Sequence, residues 1–495
     1  MSATLLFSFV IGYFLILLVV AYYTSRNSNN DSFFIGNRSS NWMLVAFGMI
    51  GTSLSGVTFV SVPGAVGKAF GGGFEGFAYF QIVIGYVLGY FVIAYVLLPL
   101  YYRLQLTSIY NYLSKRLGFV SYKTGASFFI LSRTLGATAR LYLVVAILQD
   151  AILASFGVPF WLTTFIILLM ILLYTFEGGV KTIVWTDTLQ TTCMLIGLVI
   201  CIIYILKSLN LNFGEGITAL KSGGYTTLFV TDPASRLFFL KQVLAGAFIT
   251  VAMTGLDQEM MQKNISVKTL KDSQKNMLTF AFIQAFVVLL FLFLGGLLYL
   301  FAQSNTVAAT GDKLFPAVAL QHMPPFISIV FIIALISALF PSADGAITAL
   351  TSSFCIDLLG LKRRDDWDEK KKKKVRQVVH LSIAAVFLLV VLVFKWINNQ
   401  SMIGVILKVA AYTYGPLLGL FTFGIVTNRS VQDRLVPYVA VAAPLVCFFI
   451  DKFQKELFGN FEIGLELLII NGALTFLGLF LISKKASKAD LQMHS

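Results

Sequence analysis

Long apolar runs, separated by short polar and basic stretches, set the pattern of this chain. Thirteen of them are long enough to cross roughly 30 Å of hydrocarbon as helices. They cover 4–24, 42–66, 76–101, 122–152, 159–176, 183–207, 237–262, 276–303, 324–359, 375–396, 402–426, 434–450 and 462–483. The pattern predicts an all-α polytopic membrane protein with 13 transmembrane helices. The run 4–24 has no basic stretch before it and no small-x-small site after it, so it reads as a spanning helix and not as a leader.

Charge adds orientation. Of 37 Lys and Arg residues, 25 fall in loops on one side, 8 on the other and 4 inside the runs. The rule that basic loops stay in the cytoplasm then places the N-terminus outside and the C-terminus inside. The richest loop, KRRDDWDEKKKKKVR at 362–376, pins that side. The outer loop 209–236 is long enough to carry short helices. Composition agrees: 58% of residues are hydrophobic and 12% charged, against about half and a quarter in soluble domains. The net charge of +14 sits in these loops, so it speaks for topology and not for nucleic acid. Cys193, Cys201, Cys355 and Cys447 lie in apolar runs, and His322, His380 and His494 are scattered. Neither a disulfide framework nor a transition-metal site is expected, and no nucleophile–base set suggests an enzyme.

The chemistry lies in polar residues at membrane depth, where an ionisable group is costly and marks function. The stretch from Ala334 to Asp357 holds a proline, hydroxyls and Asp344. Helical spacing puts Ala338, Ser342 and Gly345 on one face and Pro341, Asp344 and Thr348 on its neighbour. Oxygen-rich faces of this kind suit a hard cation such as sodium. The stretch GMIGTSLSGVTFVSVPG (48–64) combines helix-weakening Gly51, Gly56, Pro63 and Gly64 with the hydroxyls of Thr52, Ser53, Ser55 and Thr58. A helix broken there frees carbonyls that a cation and a polar solute can satisfy. Gln81 is either a solute contact or a tie between helices. Arg133 and Arg140 share a helix face. Arg133 suits an anionic solute, because its fork donates two parallel hydrogen bonds; Arg140 suits an internal ion pair. Asp187, with Gln190 and Thr191 on one stripe, either answers an arginine or serves a cation. Asp257, Gln258, Glu259 and Lys263 read as an interfacial cluster at a helix end, with gating as the lesser alternative.

These residues carry a resemblance. EGGVKTIVWTDTLQ (177–190), the 51–64 run, TGLDQEMMQ (254–262), SALFPSADGAITALTSSFCID (337–357) and GPLLGLFTFGI (415–425) are similar to the sodium:solute symporter family over roughly 40–430. The resemblance implies a leucine-transporter-type fold, with ten core helices in two inverted repeats of five. That divides the chain into an extra helix and loop (1–40), a first repeat (41–208), an outer loop (209–236), a second repeat (237–427) and two peripheral helices with a tail (428–495). It implies a principal sodium site of carbonyls at Gly51, Leu54 and Ala338 with hydroxyls at 341 and 342. Ser342 conforms and Pro341 does not. A second cation or proton site would use Asp187, Asp344, Gly345 and Thr348, with carboxylate and glycine where the family has small hydroxyl residues. SLSGVTF (53–59) most resembles the sialic acid branch, which implies a solute site of Ser53, Ser55, Thr58, Gln81 and Arg133. The expected function is sodium-coupled import of a small carboxylated solute by a monomer in the plasma membrane, the inner membrane in a bacterium. Rival readings are a neutral-sugar symporter, a proton-coupled carrier using Asp344 and Asp187, and a transporter-like sensor.

Overall fold

The computed structural model describes residues 3–25, 33, 40–67, 75–176, 179–364, 366–397 and 402–485. The loop cations Arg26, Arg38, Lys68 and Lys488 and the turn residue Glu177 lie outside the described residues. The helices are α1 (Ala3–Ser25), α2 (Trp42–Ser53), α3 (Gly56–Gly64), α4 (Tyr79–Arg103), α5 (Phe119–Ala151), α6 (Phe160–Thr175) and α7 (Gly179–Ser208). There follow α8 (Phe213–Ser222), α9 (Phe239–Gly255), α10 (Gln258–Ile265), α11 (Leu270–Ser304), α12 (Pro325–Leu358) and α13 (Glu369–Ile397). The last are α14 (Met402–Thr413), α15 (Gly415–Val426), α16 (Asp433–Lys452) and α17 (Leu467–Leu481).

Among the described residues, eight helices are long and apolar enough to cross a membrane, and up to eleven spans result if each bent pair is one. The pairs are α2/α3, bent by 55°, α9/α10, bent by 66°, and α14/α15, bent by 45°. α6 and α17 are apolar but short. Each predicted run therefore coincides with helix, and the outer loop contains α8. Its start is closed reciprocally: Asn212 accepts from the Glu215 N–H at 2.9 Å, and the Glu215 carboxylate accepts from the Asn212 N–H at 2.7 Å.

Each bend has a local cause. The last backbone bond of α2 runs from the Leu54 N–H to the Ile50 carbonyl, and α3 begins with the Phe59 N–H to the Ser55 carbonyl. The carbonyls from Gly51 to Leu54 fall between the two ladders. Gly56, at the start of α3, lies against Val144 of α5 with no room for a methyl group, so the bend can pack close to α5. At the second bend, Asp257 caps α10 by accepting from the N–H groups of Glu259 and Met260 at 2.9 and 3.3 Å. The carbonyls freed there are met by phenols: Tyr101 donates to Gly255 and Tyr110 to Leu256, each at 2.8 Å. The third bend carries Pro416 at the first turn of α15, and Gly415 lies against Asn471 of α17.

Apolar burial drives little helix association in lipid, so close packing of small residues carries it. α4 and α9 illustrate this. Gly85 faces the backbone at Val243 and Ala247, and Gly246 faces the backbone at Ile82, so a side chain at either position would push the helices apart. α12 is the centre: 78% of its most apolar window is buried, against 28% for α1. Pro341 does not interrupt it.

Candidate functional site

The open bend between α2 and α3 faces a cavity closed by α4, α5, α9, α11 and α14. Ser53, Ser55 and Thr58 line it, as the sequence predicts. The Ser53 hydroxyl accepts from Gln284 at 2.9 Å, and Gln284 accepts from Tyr90 at 2.6 Å. Three phenols, Tyr79, Tyr86 and Tyr90, add polar edges to one wall.

Both arginines line this cavity, and the ion pair expected of Arg140 falls on Arg133. Arg133, 3% exposed, is ion-paired to Glu259, and its Nε stands 4.0 Å from Asp257. Its Nη2 is thus taken, while its Nε has no hydrogen-bond partner. Arg140 is half-buried, lines the same cavity and has no ion pair among the described residues. Gln81 does not line the cavity. It is fully buried, donates to the Ala78 and Leu237 carbonyls at 3.0 and 3.3 Å, and accepts from the Val230 N–H at 3.1 Å. Its amide ties α4 to the outer loop, which leaves no polar group for a solute.

Of the residues expected at the principal sodium site, Gly51 of α2 and Pro341 of α12 meet, and α7 adds Thr191 beside them. Gly51 of α2 lies against the Thr191 hydroxyl of α7 and the ring of Pro341 in α12. Ser342 is buried one residue on and donates to the Leu339 carbonyl at 2.8 Å. Gly51→Ala would drive a methyl group into Thr191. We expect it to lose sodium-dependent uptake, and Gly51→Ala with Thr191→Ala to regain part of it. Equal activity of the single variant and the parent in a vesicle uptake assay would dismiss the close approach.

The second set is arranged differently from expectation. Asp187 is not paired with an arginine: Lys263 Nζ lies 2.6 Å from its Oδ2 and 2.6 Å from Thr52 Oγ1. Thr52 in turn donates to the same carboxylate oxygen at 3.2 Å. Asp344 accepts from the Tyr174 hydroxyl at 2.7 Å, and its other oxygen has no partner. Thr348 Oγ1 is also buried without a partner, and Gly345 lies against the Glu259 carboxylate.

Asp257, Glu259 and Lys263 are therefore not water-facing. The 66° bend turns α10 inward, and all three are at most 3% exposed. Tyr414 donates to Asp257 at 2.8 Å. Hydropathy reads such charges as water-facing because it cannot see that they neutralise one another. Gly255 followed by a capping Asp257 is the signal that would have found the bend.

Comparisons with known proteins agree with this fold. A model of the sodium:solute symporter family matches residues 33–433. The chain is similar to the sodium/sialic acid symporter SiaT of Proteus mirabilis, at 23% identity over 96% of this chain and 95% of that protein. It is similar to the sodium/sialic acid symporter NanT of Aliivibrio fischeri, at 23% over 93% and 90%. The sodium-coupled monocarboxylate transporter 2 of Mus musculus matches at 26% over 81% of this chain and 64% of that one. A solved Na+-coupled sialic acid symporter, in a substrate-bound outward-open state, shares the fold with a TM-score of 0.80, at 20% identity over 97% of this chain and 99% of that chain.

Proposed function

Because the chain belongs to the sodium:solute symporter family, we propose that it imports a sialic-acid-like carboxylate together with sodium. One observation carries the choice of a carboxylate: Arg140, without an ion pair among the described residues, lines the same cavity at the open bend as Ser53, Ser55 and Thr58. A guanidinium there would hold the carboxylate through two parallel hydrogen bonds, while the hydroxyls meet the polyol.

Sodium is held by the carbonyls of Gly51, Leu54 and Ala338 and the hydroxyl of Ser342, with Pro341 supplying packing in place of a second hydroxyl. The ion ties α2 to α12. Since α2 also carries Ser53 and leads into Ser55, binding of sodium orders the solute site, and solute in turn favours the sodium-bound state. Each sodium charge moving inward gains about 2.3 kcal/mol per 100 mV of membrane potential. Thirteen crossings with the N-terminus outside, and two five-helix repeats at 41–208 and 237–427, complete this reading. In its favour, the bent pairs α2/α3 and α9/α10 stand at the start of each half.

Purified protein in proteoliposomes tests it. Radiolabelled sialic acid should accumulate under an inward sodium gradient, and replacing sodium by choline should stop it. Accumulation in choline would overturn sodium coupling, and uptake of glucose but not sialic acid would overturn the carboxylate. Ser342→Ala should raise the sodium concentration needed for half-maximal uptake several-fold, while an unchanged sodium curve would remove Ser342 from the site.

A further inference from the structure

The buried pair of Lys263 and Asp187 has a consequence for how many ions move. Asp187 is the one carboxylate that α7 contributes near α2, and a second cation would need it. Its Oδ2 already receives Lys263 Nζ at 2.6 Å and the Thr52 hydroxyl at 3.2 Å. The ammonium also donates to Thr52 Oγ1 at 2.6 Å and stands 3.9 Å from Glu259 Oε1. Lys263 is 3% exposed and Asp187 fully buried.

We propose that the ammonium of Lys263 is the resident cation of the second site, so that this transporter binds one sodium ion and not two. Nζ carries the same single positive charge as sodium and, like it, is surrounded by oxygen: a carboxylate, a hydroxyl and a second carboxylate further out. The other charged groups of the region have partners of their own. Arg133 holds Glu259 from α5, and Asp344 on α12 accepts from Tyr174 through one oxygen while the other stays without a partner, as does Thr348 Oγ1. Among the described residues, no group of three or more acidic, histidine or cysteine side chains converges on one point. Several oxygens nonetheless stand buried without a partner, namely Asp187 Oδ1, Thr191 Oγ1 and the Gln190 amide oxygen. A tethered cation cannot be carried across, so it neutralises Asp187 without adding to the transported charge.

The proposal rests on the sodium coupling above, and the count of bound ions separates the two. Binding of radioactive sodium to purified protein, without solute, should give one ion per chain. Lys263→Gln removes the tethered charge at similar length and should raise the count to two, while Lys263→Arg should keep it at one. Lys263→Gln leaves Asp187 buried without a cation and can cost the fold, so the double variant Lys263→Gln with Asp187→Asn is measured beside it. With both charges gone, the double variant should bind the same single ion as the parent. A parent count of two, or a lower count in the double variant than in the parent, would overturn the role of Lys263 and leave sodium coupling standing. So would a count that stays at one in folded Lys263→Gln. A parent count of zero would sink sodium coupling and, with it, this proposal.

Discussion

Arg140→Ala is expected to abolish detectable binding of a carboxylated solute. A hydrogen bond to a charged group contributes about 1.5–3 kcal/mol, so losing it costs roughly 10- to 100-fold in affinity. Arg140→Lys should recover only part of this, since a point charge cannot reproduce the two parallel donors of the guanidinium. Binding to purified protein in sodium, followed by calorimetry or fluorescence, reads the effect directly. Unchanged affinity in Arg140→Ala would move the anion contact elsewhere in the cavity.

Glu259→Gln is expected to be the most destabilising neutralisation in the core. It keeps the side-chain shape against Gly345 but leaves Arg133 with Asp257 as its remaining carboxylate, 4.0 Å away. Breaking a buried pair by removing one partner costs about 3–5 kcal/mol. The melting temperature in detergent should fall clearly, and Arg133→Gln in the same chain should restore much of it. The pair of substitutions should leave solute affinity near that of the parent, in contrast to Arg140→Ala. A melting temperature insensitive to Glu259→Gln would mean that the ion pair is not formed.

What could be read in the sequence depended on whether a signal is local. Helix positions follow from runs of apolar residues, and every predicted run coincides with helix in the structure. The bend at Leu54 was legible because Gly51, Gly56 and Pro63 crowd into one stretch with four hydroxyls. At Leu256 the local signal, Gly255 before the capping Asp257, marks the bend but not what closes it, since Tyr101 and Tyr110 lie more than a hundred residues away in sequence. The arginines make the same point. Arg133 and Arg140 lie on one helix face, and nothing near them in sequence says that Glu259 meets the first and not the second. Gln81 is a third case, because its partners at Leu237 and Val230 arrive from a distant loop.

The two bends differ in what closes them. At α9/α10 the loose carbonyls are bound by phenols that belong to the chain, so this elbow keeps its strength whatever the protein carries. At α2/α3 the stretch from Gly51 to Leu54 lies between two ladders, and its cohesion depends on visitors. Under the reading proposed above, the molecule is a lever with one welded joint and one joint whose stiffness would be set by its cargo. An unloaded carrier is softest at the point where loading begins.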